Sequence, residues 1–344
     1  DEQIDNFDNI QKYKLKHTDF TKEPRIISAN DQYLIYKGQM ISTKEDVTIL
    51  TFKGEDPTTE EKFKRLVNVL TAVQHPNLES FVGAVETPPF TVVTRRIGEK
   101  LSDILKRAKI KKKKPSKPES DEDGYVPEEK YVVLRPGYRT IISFNIASAM
   151  AYLHSLNIIH RDLCASNITV DKAFNPRITN FANSRFLPED ISLLSVKTNS
   201  TTDFRAPELT DSETYDESVD VFSFGGILYE LVTGSSPFAG MKSKQIVEQL
   251  RSAQRPPIPE QVSEELTKLI ESCWAQEPKD RPSFSDIIDT MISNQITLPA
   301  DEETDIVQQF YSAKSIKNTD LNICLELFKY IEQAIGSSFA YPKE

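Results

Sequence analysis

The chain has 344 residues, 38% hydrophobic and 27% charged, which is enough for two lobes that each bury a core. Its formal net charge of −10 excludes a general binder of nucleic acid or anionic membrane, since either needs a dominant basic face. Three cysteines (Cys164, Cys273 and Cys324) have no metal-ligand spacing and cannot all pair, so a reduced, cytoplasmic setting is expected.

The acidic start, DEQIDNFDNI, is unlike a secretion signal, and no apolar run reaches the length of a membrane span. Between residues 25 and 52, YLIYKGQMI and DVTILTF are short, β-branched and partly alternating, which predicts strands. Pro57, Thr58 and Thr59, followed by EEKFKRLVNVLTAV, open a helix with acidic residues in its first turn. LESFVGAVE and FTVVT return to strand, so the first hundred residues form a small sheet with one inserted helix. Residues 106–130, KRAKIKKKKPSKPESDEDGYVPEEK, run from lysines to acids with prolines and no apolar period. That composition predicts an irregular insert, either a solvated linker or a docking site for an acidic partner.

Beyond the insert the chain turns helical. TIISFNIASAMAYLHSL puts Ile142, Ile146, Ala149, Met150 and Leu153 on one face. DESVDVFSFGGILYELVTG is apolar nearly all round, as a helix at the centre of a lobe must be. SFSDIIDTMI begins at Ser283 with Asp286 three residues on, a capping box. In the tail, NTDLNICLELFKYIEQAIG spaces Leu321, Cys324, Leu325, Phe328, Ile331 and Ile335 as one helical face and stops at Gly336. Such a helix packs on its own domain or offers a surface to a partner.

Four further stretches fall in a fixed order: HRDLCASN at 160–167, RAPE at 205–208, DVFSFG at 220–225 and CWAQEPKDRPSF at 273–284. In that order they resemble a eukaryotic protein kinase, and the Cys-Trp and Arg-Pro ending is similar to the tyrosine-kinase-like group. The resemblance covers about residues 20–292. It implies an α+β, bilobal fold: an antiparallel sheet lobe with one helix (20–94), a hinge (95–98) and a mainly helical lobe (99–292). The insert 106–130 falls in that second lobe, and an extension (1–19) and a helical tail (293–344) flank the domain. It also implies roles. Asp162 would accept the proton of a substrate hydroxyl, and Asn167 would hold magnesium. Arg161, Glu208, Asp220 and Arg281 would be structural, with Asp220 tying down the catalytic loop and Glu208 paired to Arg281.

The chain departs from the family's pattern where charge is needed. The glycines of the phosphate-covering loop align with Ser28, Asn30 and Tyr33, and the first glycine of the chain is Gly38. The strand lysine is replaced by Leu50 in VTIL; Lys53 falls on the opposite face, and Lys37 is the candidate substitute. The lysine's partner glutamate is replaced by Leu66. Removing one partner of a buried pair costs about 3–5 kcal/mol, whereas replacing both by apolar groups can be neutral, so the matched change indicates a settled structure. Asn180 and Ala182 stand for the aspartate and glycine of Asp-Phe-Gly, and Cys164 and Ser166 stand where a lysine or arginine is usual. Around the expected base pocket are Ile35, Thr48 and Thr169, then Thr94 as gatekeeper with Arg95 and Arg96 in the hinge. Leu70, Phe81, His160 and Phe181 fill the apolar column that joins the lobes.

The expectation is therefore a pseudokinase, a signalling scaffold or interaction module with little or no phosphotransfer. The alternatives are an atypical ATP-dependent Ser/Thr kinase, or ATP binding without catalysis. No cofactor and no metal ligand is expected, ATP and magnesium entering only under the alternatives. Partners are expected to be proteins, an active kinase among them, rather than nucleic acid or membrane. SVKTNSTTDF at 195–204 is a polar surface loop or a substrate of another kinase at Thr198, Ser200 or Thr202, with Arg161 near to pair the phosphate. Thr201 matches the threonine beside the substrate site of Ser/Thr kinases, so a peptide groove without a phosphate donor is also expected.

Overall fold

The structure, a computed structural model, describes residues 12–113, 134–187, 204–211, 215–299, 301 and 305–315. The β-branched runs near the start pair into an antiparallel sheet of β1 (Phe20–Ala29), β2 (Tyr33–Met40), β3 (Asp46–Phe52), β4 (Phe81–Val85) and β5 (Thr91–Arg95), in the order β1-β2-β3-β5-β4. Alternation along β3 sends Val47 and Ile49 into a small cluster with Phe20, Met40, Val85 and Val93, and Leu50 and Phe52 into the main core. Helix α1 (Pro57–Ala72) is started by Asp56, whose carboxylate accepts from the Thr59 amide at 3.1 Å and hydroxyl at 2.6 Å, with proline at the first position. Its buried face carries Phe63, Leu66, Val67 and Leu70 toward the sheet and the second lobe.

The second lobe begins with β6 (Glu99–Lys100), α2 (Leu101–Lys113) and α3 (Tyr138–Ser155). Short strands β7 (Ile158–Ile159), β8 (Ile168–Val170), β9 (Pro176–Ile178) and β10 (Arg185–Phe186) follow. Helices α4 (Glu208–Asp211), α5 (Ser218–Thr233), α6 (Ser243–Arg251), α7 (Glu264–Cys273), α8 (Phe284–Ser293) and α9 (Asp305–Ser315) complete it. Helix α5 buries all its residues from Val219 to Leu231 except Tyr229. Gly225 lets Trp274 approach it, since an added Cβ would meet the indole at 2.8 Å. The Ser283–Asp286 capping box opens α8. Among the described residues, no helix is long and apolar enough to cross a membrane.

One stretch differs from the sequence reading, and another is settled into the core. Helix α2 runs to Lys113, over the lysine-rich start of the 106–130 insert, because that start lacks proline and is built of good helix formers; residues 114–133 lie outside the described residues. After residue 292 the chain continues into the same core, with Ile296, Leu298, Val307, Phe310 and Tyr311 all buried. Asp301, 1% exposed, accepts from the amides of Gly137 and Thr140 at 2.6 and 2.8 Å and from the Thr140 hydroxyl at 2.9 Å, capping α3 from the tail. The tail helix read around Leu321–Ile335 lies outside the described residues.

Candidate functional site: a cleft between the lobes

A cleft of about 640 Å³ opens between the sheet and the helical lobe. Strand register decides which side chains reach it, since directly opposed residues of an antiparallel pair share a face. Ile35 pairs with Leu50 and Leu50 with Val92; in the next row Lys37 pairs with Thr48 and Thr48 with Thr94. All six line the cleft from above, Arg96 of the connecting segment closes one end, and Thr169 of β8 lies below.

The β1–β2 turn is built on a side chain. Asn30 Oδ1 accepts from the amides of Gln32 and Tyr33, both at 2.9 Å, an Asx turn that takes up amides a glycine loop would leave free for a phosphate. Lys53 ties this turn down, its Nζ donating to the Asn30 carbonyl at 2.6 Å, and so does not enter the cleft. Tyr33 folds inward to 6% exposure with its ring edge-on to Phe52. Burial, and then the charge of Asp162, push its phenol up to about 12.

At the inner end, Leu50 and Leu66 are 8% and 4% exposed and line the same space. Beside them is Glu79, which sequence reading missed. Its Oε1 accepts from the Thr94 hydroxyl at 2.6 Å and its Oε2 from the Asn180 amide at 2.9 Å, clasping β5 to the Asn-Phe-Ala segment. The backbone adds to the clasp: the Glu79 amide donates to the Ile178 carbonyl and the Ile178 amide to the Asn77 carbonyl, each at 2.8 Å. Burial pushes the Glu79 carboxyl above its usual range, against the lowering by these two donors. The only sequence signal was an acid inside an apolar, strand-like run, LESFVGAV.

That raised carboxyl makes a pH prediction. In the unfolded chain Glu79 titrates near 4.5, so stability from its neutral form is complete below that value and is lost as pH rises through the folded pKa. Glu79→Gln keeps a neutral acceptor. Urea melts from about pH 4 to 8 should show the variant gaining on wild type as pH rises; parallel profiles would contradict the burial.

The loop at 160–167 hangs on Asp220, which is fully buried and accepts from the amides of His160 and Arg161 at 2.8 Å each and contacts His154 Nε2 at 3.1 Å. Arg161 sits in the left-handed region at φ 66°, its guanidinium over the Tyr215 ring at 4.9 Å and bonded to the Asn183 carbonyl at 3.2 Å. Asn180 is left-handed too, at φ 70°, which asparagine tolerates. Ala182 needs no glycine's freedom there, because Phe181–Asn183 is a 3-10 turn without positive φ. Asn180 Nδ2 donates to Asp162 Oδ2 at 3.0 Å, and Asn167 Nδ2 donates to the Asp162 carbonyl at 2.7 Å. Asn180 Oδ1 is buried without a hydrogen-bond partner.

These groups do not fit a magnesium ion. Both asparagines turn their amide nitrogens to Asp162, and a hard cation favours carboxylates. Cys164 is buried with Sγ 3.0 Å from Ser166 Oγ, and Ser166 lines the cleft.

Of the column residues, Phe181 and His160 pack edge to face with centroids 5.1 Å apart, and Leu70 is buried. Burial pushes the His160 imidazole down, against the opposing charge of Asp220. Phe81 lies 5.1 Å from Tyr13, brought there as Leu15 donates to the Ala84 carbonyl along β4. Away from the cleft, Arg281 grips Glu208 with both nitrogens, at 2.5 and 2.9 Å. Thr198, Ser200, Thr201 and Thr202 lie outside the described residues.

A five-stranded lobe with one helix, a helical lobe, and a His-Arg-Asp loop held by a buried aspartate between them define a bilobal protein kinase fold. The chain belongs to the protein tyrosine and serine/threonine kinase family, whose model matches residues 31–291. It is 34% identical over 243 residues to dual specificity protein kinase pyk3 of Dictyostelium discoideum, covering 70% of this chain and 16% of that protein. Two proteins of Arabidopsis thaliana are also similar: serine/threonine/tyrosine-protein kinase HT1 (32% over 257 residues; 74% of this chain, 60% of that one) and serine/threonine-protein kinase CTR1 (31% over 253 residues; 72% and 28%). The chain therefore spans less than two thirds of the length of each of these relatives.

Proposed function

We propose that this domain acts as a kinase-fold scaffold or interaction module with little or no phosphotransfer, in a cytoplasmic setting and with proteins as partners. One observation carries the reading: Leu50 and Leu66 occupy the inner end of the cleft, where charge would have to be neutralised. Phosphoryl transfer is largely positioning and charge stabilisation, so an apolar inner end removes the part that supplies the rate. A second reading, an atypical ATP-dependent Ser/Thr kinase, is favoured by the relatives, all three of which are named as kinases. It draws on Asp162 and Asn167, and on Lys37, one of the cations lining the cleft, as the substitute for the strand lysine.

The two readings separate in one titration. Under the first, millimolar ATP with magnesium should move the melting temperature by less than about 1 °C, because a ligand stabilises only in proportion to its occupancy. A magnesium-dependent shift of several degrees, with phosphate transfer abolished by Asp162→Ala, overturns the first reading in favour of the second.

A further inference from the structure

A cleft that transfers phosphate from a nucleotide needs its positive charge at the inner end. In this protein the charges run the other way. The inner end carries Leu50, Leu66, the acidic side chain of Glu79 and the unpaired Asn180 Oδ1. Cations collect at the outer end, one from each wall. Lys37 comes from above, opposed to Thr48 across the β2–β3 pair. Lys100 comes from below, opposed to Thr169 across the β6–β8 pair. Arg96 comes from the segment between. Arg95 and Arg107 also line this end, but they are paired with Glu45 at 2.9 Å and with Glu99. Among the described residues, Lys37, Arg96 and Lys100 make no ion pair or side-chain hydrogen bond, and neither does the hydroxyl of Thr48 or Thr169. Asp103 is the remaining acid lining that end.

We infer that Lys37, Arg96, Lys100, Thr48 and Thr169 form an oxyanion site at the outer end of the cleft. It takes the carboxylate or phosphate of a small organic molecule whose other end donates hydrogen bonds to Glu79 and Asn180. Ammonium, guanidinium and hydroxyl groups from three sides can surround an oxyanion with charge-assisted hydrogen bonds. A carboxyl group with only two donors in place and a buried amide oxygen without a partner can each accept more. The ligand enters donor first and anion last, and about 640 Å³ is room for a drug-sized molecule. Its anion lies between the two threonines, where the family would place an adenine base.

The inference rests on the cleft being unsuited to ATP with magnesium, and the experiment separates the two. The full chain is titrated by calorimetry with 4-amidinobenzoate, with its homologues bearing one or two methylenes before the amidine, and with the matching phenyl phosphates. Benzoate and benzamidine serve as one-ended controls. At least one two-ended probe should bind about tenfold tighter than either control, and the tighter of the carboxylate and phosphate series identifies the oxyanion. Lys37→Ala with Lys100→Ala should lose about tenfold of that affinity while the melting temperature of the free protein stays unchanged. If no two-ended probe exceeds the controls, or the double variant binds as wild type does, the oxyanion site is wrong. Binding of ATP with magnesium and of none of the probes overturns both inferences; binding of neither overturns this one alone.

Discussion

Replacing Asp220 by alanine is expected to destabilise the protein by about 3–5 kcal/mol, as expected when one member of a buried charged network is removed. The carboxylate is fully buried, and its oxygens take up the amides of His160 and Arg161, both at 2.8 Å. Without it those two donors remain in the core, and Arg161 loses the anchor that holds its left-handed backbone at φ 66°. Burial alone would raise the Asp220 carboxyl, but the hydrogen bond from His154, the neighbouring imidazole charges and the His160 amide together hold it below its ordinary 3.8. A depressed folded pKa gives stability that is present above 3.8 and lost as pH falls through the folded value. Wild type should therefore show an acid loss of stability that Asp220→Ala lacks. Urea unfolding at several pH values measures both effects. Asp220→Asn, which keeps one acceptor oxygen, should fall between; equal stability of all three proteins would mean that the loop is held by something else.

Much of the cleft was legible in the sequence because the motifs that build it are local. The His-Arg-Asp loop, the Asn-Phe-Ala segment and the strand holding Leu50 each declare themselves within about ten residues, and period-two and helical spacing then decide which side chains face inward. Lys53 could be assigned away from the cleft by strand parity alone, and the structure spends it on the Asn30 carbonyl. Glu79 could not be assigned in that way. Its partners Thr94 and Asn180 lie 15 and 101 residues away, and nothing in LESFVGAV says that two donors will converge on a lone acid. Asp301 shows the same limit, since it caps a helix more than 160 residues upstream and so draws the stretch after residue 292 into the core. The polarity of the cleft was equally hidden. Lys37 and Arg96 could be placed near it, but their freedom from carboxylates, and the arrival of Lys100 opposite Thr169, depend on the pairing of strands remote in sequence.

Leu66→Glu alone is expected to cost about 3–5 kcal/mol, because it puts a carboxylate in a site 4% exposed that Glu79 already shares. Among the described residues no cation lines that inner end, so the new group must be charged without a partner or protonated against its ordinary pKa. Leu50→Lys alone should cost less, since Glu79 lines the same cleft and offers the ammonium a counter-charge. The double variant should recover most of the loss, giving a coupling of about 2 kcal/mol or more between the two sites in a double-mutant cycle. Additivity within about 0.5 kcal/mol would show that Leu50 and Leu66 do not act as one replaced pair. The same double variant bears on function. It restores a lysine and a glutamate but leaves the Asn30 turn closed on its own amides and Asn180 turned toward Asp162. Under the scaffold reading, phosphate transfer by it should stay below detection. Transfer that appears in the double variant and vanishes on adding Asp162→Ala would instead mean that one ion pair was all the cleft lacked, and that the remaining polar groups can hold a nucleotide.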